Sequence, residues 1–179
     1  MPTYVGFLRA INVGGHTVTM ERLRSLVAET GVQDVETFIA SGNVVFVSPS
    51  ADSGTLARRI EDHLRSSLGY DVKTFVRTAA EVVAIASYEP FSASRVTAAT
   101  ALNVGLLAGP LSAGEHARLM ALETGVDAFH VHGREVYWLC QTKQSQSGFS
   151  NTRFEKTVAR SITFRSVNTM VRLVQKFRF

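Results

Sequence analysis

The chain has 179 residues, 45% of them hydrophobic, which suffices for the core of one domain or of two small packed units and is too apolar for a disordered chain. Lys and Arg number 19 against 15 Asp and Glu, and a surplus of +4 spread along the chain leans toward anionic partners without making a nucleic-acid-binding tail. Met1-Pro-Thr-Tyr-Val-Gly-Phe-Leu-Arg9 has no basic and then apolar leader, no stretch approaches the roughly 18 apolar residues of a membrane span, and the lone Cys140 cannot make an internal disulfide, so a cytoplasmic setting is expected.

Thr3 to Leu8 is an apolar run that reads as a strand, followed by a glycine-rich loop and a helix from Met20 to Thr30 with Leu23, Leu26 and Val27 on one face. Gly31 stops that helix. Val35 to Ala40 and Asn43 to Val47 are β-branched and aromatic runs around Ser41-Gly42 and read as a hairpin. Leu56, Ile60, Leu64 and Leu68 recur at helical spacing behind the cap candidates Asp52 and Ser53, with Gly69 just after, and Val72 to Arg77 alternates as a strand. The order so far is βαββαβ. Thr78-Ala-Ala-Glu81 opens a connecting helix that closes before Pro90.

The order then restarts. Ala101 to Leu107 reads as a strand, Ser112-Ala-Gly-Glu115 as a capping box opening a helix through Leu122, and Val126 to Val131 with Glu135 to Cys140 as a second hairpin around His132-Gly133. Gln141 to Ser150 is polar and reads as a mobile loop. Thr152-Arg-Phe-Glu155 is expected to cap a short helix to Arg160, Ile162 to Phe164 is a short strand, and Met170, Leu173, Val174 and Phe177 mark a final helix. Val35, Phe38, Gly42 and Val45 lie over Val126, Phe129, Gly133 and Val136 at a constant offset, which together with the repeated element order points to an internal duplication. The expectation is an α+β fold of two tandem ferredoxin-like βαββαβ units: residues 1–77, a connecting helix and linker over 78–100, and residues 101–179 with the C-terminal helix. Several strands, such as Tyr4-Val-Gly-Phe-Leu8 and Val44-Val-Phe-Val47, are apolar on both faces, so each sheet needs cover on its second face.

Strand order 4-1-3-2 makes the first and second strands of such a unit parallel, so the loop after strand one and the first hairpin leave from one end of the sheet. That end gathers Arg9, Asn12, Gly14 and Gly15 with Ser41 and Asn43. Adjacent glycines let backbone N–H groups approach a ligand, Asn and Ser add neutral donors, and Arg9 adds a forked cation, a set suited to an anion or carboxylate. Plain turn chemistry is the competing reading of Gly14-Gly15. The pattern is neither G-x-G-x-x-G nor a phosphate-binding G-x-x-x-x-G-K-[ST] loop. His130 and His132 share a strand face but have no third ligand at a convincing spacing, so solvated histidines are expected and no metal. Cys140 is in phase with Val136 and Trp138 and reads as packing. No carboxylate pair stands out for acid–base work. Tyr4-Val-Gly-Phe-Leu8 resembles the first base-stacking motif of RNA-recognition modules, but Asn43-Val-Val-Phe-Val47 supplies one aromatic and no Lys or Arg for the second.

Leu8-Arg-Ala-Ile-Asn-Val-Gly-Gly15, Ser41-Gly-Asn-Val-Val-Phe46, Tyr88-Glu-Pro-Phe91, Gly133-Arg-Glu-Val-Tyr137, Asn151 with Phe154-Glu-Lys156, and Thr163-Phe-Arg-Ser-Val-Asn-Thr169 resemble the successive blocks of number sixteen ninety-seven in the bacterial domain-of-unknown-function series. The resemblance spans essentially the whole chain. It implies a duplicated ferredoxin-like α+β fold and no established activity. The sequence departs from the family's usual pattern at Ala10, where Gly commonly stands, at Glu89, commonly Asn, and at Ser166 and Val167, commonly Asn and Trp; Arg165, Asn168 and Thr169 of the last block remain.

The functional expectation is therefore a small-ligand or anion-binding domain using Arg9, Asn12, Gly14, Gly15, Ser41 and Asn43, joined by Arg165 and Asn168. An enzyme of unknown reaction in the same cleft is the first alternative and a nucleic-acid-binding module the second. The partner expected is an anionic small molecule, with nucleic acid a weaker expectation, no membrane, no cofactor, and a monomer or homodimer.

Overall fold

A computed structural model describes the chain apart from Val13, Ala40 and Ser41. The chain divides into two compact units, Met1–Ala84 with Leu173–Phe179, and Ile85–Arg172.

The first unit runs β1 (Thr3–Leu8), α1 (Met20–Ala28), β2 (Gln33–Phe38), β3 (Asn43–Val47), α2 (Ser53–Leu68) and β4 (Thr74–Thr78), and α3 (Ala79–Ser87) begins in it. The sheet order is β2-β3-β1-β4 with every neighbouring pair antiparallel, so β1 and β2 are parallel. Tyr4, Leu8, Val44, Phe46 and Val76 point to one side and pack on Leu23 and Leu26 of α1 and Leu56, Ile60 and Leu64 of α2. Each such side chain contributes about 1.5–3 kcal/mol when removed from water. On the alternate strand positions Val5, Phe7, Val45 and Phe75 are buried as well. Local signals define both ends of α2: the Asp52 carboxylate accepts from the N–H groups of Gly54 and Thr55, and Gly69 closes the helix at φ +81°.

The second unit contains α4 (Ala93–Ala98), β5 (Ala101–Leu106), α5 (Ala113–Met120), β6 (Asp127–His132), β7 (Glu135–Cys140), a 3-10 turn at Gln144–Gln146, α6 (Asn151–Val158), β8 (Thr163–Ser166) and the start of α7 (Val167–Phe177). Its sheet order, β6-β7-β5-β8, repeats that of the first. Its core joins Leu119, Phe129, Val136, Trp138, Cys140, Phe149, Phe154 and Ile162. Both units are ferredoxin-like, as the sequence leads one to expect.

Two local expectations are corrected, and two features go beyond what was expected. The first hairpin strand is Gln33–Phe38 and not Val35 to Ala40, because Gln33 pairs with Val47 across a bulge at Asp34, φ +49°. The Gln141 to Ser150 segment, read as a loop, contains a 3-10 turn and an anchor: Phe149 is buried against Phe129 and Trp138, with ring centroids 4.6 and 4.8 Å away. Helix α6 is capped by Ser150, whose Oγ accepts from Arg153 N at 3.1 Å, and not by Thr152. Helix α4 was not expected at all. It has no buried residue and so leaves no apolar stripe in the sequence.

Candidate functional site

The loop leaving β1 and the turn between β2 and β3 lie side by side. Leu8 N donates to Gly42 O at 2.8 Å, and the next residue, Arg9, donates its backbone N–H to Lys73 O at 2.8 Å in the loop before β4. Three loops therefore meet at one end of the sheet. Gly42 has φ +78°, and a Cβ there would stand 3.2 Å from both Ile11 Cγ2 and Leu8 Cβ, so glycine is what lets the turn close on the β1 loop.

Of the eight expected site residues, Arg9, Asn12, Gly14, Gly15 and Asn43 belong to the first unit, and Ser41 lies outside the described residues. Arg9 is half-buried, and its Nε is shielded from solvent. Asn12 is exposed, but its Oδ1 accepts from Val18 N at 2.7 Å, which ties Asn12 to Val18. Asn43 is fully buried and its Nδ2 donates to Phe38 O at 2.9 Å, bracing the hairpin from within. Gly14 (φ +64°) and Gly15 (φ +83°) are exposed, with open space where a Cβ would stand, so a ligand can come close to their backbone. Arg165 and Asn168 belong to the second unit. The Arg165 Nη1 donates to Thr163 Oγ1 at 2.8 Å and to Phe164 O at 2.9 Å, and burial pushes its guanidinium down to about 10. Asn168 is exposed on the first turn of α7.

Two residues at the cluster were not singled out from the sequence. His16, in the β1 loop, stacks on Tyr70 with ring centroids 3.8 Å apart and planes 19° from parallel. The Tyr70 hydroxyl donates to Ile11 O at 3.0 Å, and burial raises its pKa. Tyr70 sits just before β4, the neighbour of β1, so the strand order itself carried the signal. The other cations nearby are compensated: Lys73 lies 3.4 Å from Glu61, and Arg65 lies 2.5 Å from Asp71 and 3.6 Å from Asp62. A shallow depression of about 190 Å³ between them is lined by both signs of charge. Arg9 and His16 are the basic residues of the β1 loop itself.

The histidine pair on β6 is not simply solvated. Tyr88 Oη lies 2.8 Å from His130 Nε2, and the Tyr88 ring stacks on His132 at 4.1 Å. Burial, with the nearby Glu135 and Tyr88 charges, pushes the Tyr137 phenol far up. Cys140 is buried and its Sγ donates to Thr142 O at 3.0 Å, in keeping with a packing role. Among the described residues no group of three or more His, Cys, Asp or Glu could hold a metal ion, and no helix is long and apolar enough to cross a membrane.

The fold and the loop cluster together define an α+β protein of two ferredoxin-like units with a glycine-rich loop at one sheet end. The chain belongs to the family described as protein of unknown function (DUF1697), whose model matches residues 1–137. It is similar in fold to the conserved bacterial protein SP0830 from Streptococcus pneumoniae, at a TM-score of 0.71 and 20% identity over 100% of this chain and 99% of that one. No curated protein matches the chain.

Proposed function

We propose that this protein is a binding domain for a small anionic ligand, seated at the β1 loop and the first hairpin in a cytoplasmic setting. The observation that carries the reading is the open backbone of Gly14 and Gly15 in the loop that half-buried Arg9 begins. Backbone N–H groups presented by such glycines, joined by a guanidinium of the same loop, would complement a phosphate or carboxylate. Asn12 and Asn43 support the site by holding its two loops, with their amides committed to Val18 and Phe38. His16, on its Tyr70 platform, is the second basic group in reach. The duplication belongs to the same reading: the sheet order is the same in both units, and Gly42 and Gly133, at matching hairpin turns, both have positive φ.

The test is a thermal-shift series with inorganic phosphate, sulfate and small mono- and dicarboxylates against chloride at constant ionic strength. A ligand at a hundred times its dissociation constant adds about 2.7 kcal/mol to stability. Arg9→Ala is expected to abolish most of that gain, a charge-assisted contact being worth about 1.5–3 kcal/mol, while the unliganded melting temperature changes little. An Arg9→Ala variant that melts lower and responds to every anion as the wild type does would make Arg9 a structural brace.

A further inference from the structure

The second unit holds a cavity of about 160 Å³, unrelated to the β1 loop, between the start of β6, the 3-10 turn and the first turn of α6. Asp127 lies on its wall with only 3% of the residue exposed. The Trp138 indole Nε1–H donates to Asp127 Oδ1 at 2.8 Å, and the Ser147 hydroxyl lies 2.8 and 2.7 Å from Oδ1 and Oδ2. Two protons thus serve a carboxylate that can accept about four hydrogen bonds. Among the described residues no cation pairs with it. A buried charge without a counter-ion is costly, and a bound cationic donor would relieve that cost.

Arg153 lines the same cavity from the first turn of α6. Its backbone N–H is taken by Ser150 Oγ, and its exposed guanidinium makes no ion pair or hydrogen bond among the described residues. Leu122 and Phe149 supply apolar wall. One cavity therefore presents a buried anion and an uncommitted cation that do not pair with each other, in a space for roughly five water-sized groups.

We propose that this cavity binds a small zwitterion of amino-acid size, with its ammonium on Asp127 Oδ2 and its carboxylate on the Arg153 guanidinium. Only a molecule carrying both charges engages both side chains. A bare amine meets Asp127 alone and a bare carboxylate Arg153 alone.

The single tryptophan is the reporter, because its indole N–H already bonds the Asp127 carboxylate. Glycine, β-alanine and 4-aminobutyrate are titrated against the full chain while the indole ¹H–¹⁵N signal is followed, with n-propylamine and propionate as the single-charge controls. At least one of the three zwitterions is expected to shift the indole signal saturably, about tenfold or more tighter than either control, as one charge-assisted contact requires. Arg153→Ala, at an exposed position, is expected to keep the wild-type melting temperature and to reduce the zwitterion to the affinity of the amine. Asp127→Asn is expected to lose binding but alters a buried group bonded to Trp138 and Ser147, so Arg153→Glu, which repels the carboxylate and leaves Asp127 in place, is the second variant and is expected to bind more weakly than Arg153→Ala. An indole signal unmoved by all three zwitterions into the millimolar range overturns the proposal, as does a shift that Arg153→Ala and Arg153→Glu leave unchanged. Arg9→Ala is expected to leave this titration as it is, so its outcome is separate from that of the β1-loop site.

Discussion

At Ala10 the backbone is in the left-handed region, φ +57°, a conformation that a Cβ disfavours by about 1–2 kcal/mol. Glycine removes that strain at the expense of about 0.4–1 kcal/mol of unfolded-chain entropy. Ala10→Gly is thus expected to hold or slightly raise the urea midpoint. Gly42→Ala is expected to lower stability by about 1–3 kcal/mol, since its Cβ would meet Ile11 and Leu8 at 3.2 Å in a left-handed turn. Equal losses in the two variants would show that the loop pair is not held as described. The family resemblance marked position 10 as a glycine site, and the backbone there supplies the physical reason. Asn12 and Asn43 were legible as loop residues but not in their roles: an amide suits a ligand or a backbone group equally well, and only the fold shows Val18 N and Phe38 O within reach.

Among the elements, those with caps and an apolar stripe were readable and those without were not. Helix α2 has both, and its limits are the ones its Asp52 and Gly69 signals mark. Strand β2 lies at the sheet edge with half of its residues exposed, so its polar start gave no alternation to place it. Helix α5 carries a complete capping box, in which Ser112 N donates to Glu115 Oε2 at 2.8 Å and Arg160 Nη1 lies 3.1 Å from the same oxygen. The backbone hydrogen bond from Ser112, followed by the Arg160 charge, holds the Glu115 carboxyl below its usual value of 4.5. A carboxyl with a lowered folded-state pKa stabilises fully above its unfolded value, and that contribution disappears as pH falls through the folded value. Glu115→Gln is accordingly expected to melt below the wild type at neutral pH, with the gap closing as the solution is acidified below pH 4.5. A gap independent of pH would mean that the carboxylate charge does not support the helix.

At the scale of the molecule, the repeated βαββαβ order was legible because each unit repeats the same succession of apolar periodicities, and the two sheets carry one strand order. What the order of elements did not disclose is that the last residues of the chain, Leu173–Phe179, cluster with Met1–Ala84. Leu173 is fully buried, the Phe177 ring meets Phe38 edge-on at 6.0 Å, and Lys176 stands 5.5 Å over the Phe38 ring. A chain ending at Arg172 is therefore expected to lose at least about 2 kcal/mol of stability, read as a lower urea midpoint, from the lost apolar burial and the cation–π contact. An unchanged midpoint would show that the segment adds nothing to the first unit. The central claim, an anion seated on the β1 loop, is tested most directly by following the backbone amide ¹H–¹⁵N signals during a phosphate titration at constant ionic strength. The expected result is a saturable shift confined to Gly14, Gly15 and the neighbouring loop residues, abolished by Arg9→Ala; small shifts spread evenly over the surface, or shifts that survive Arg9→Ala, would contradict it.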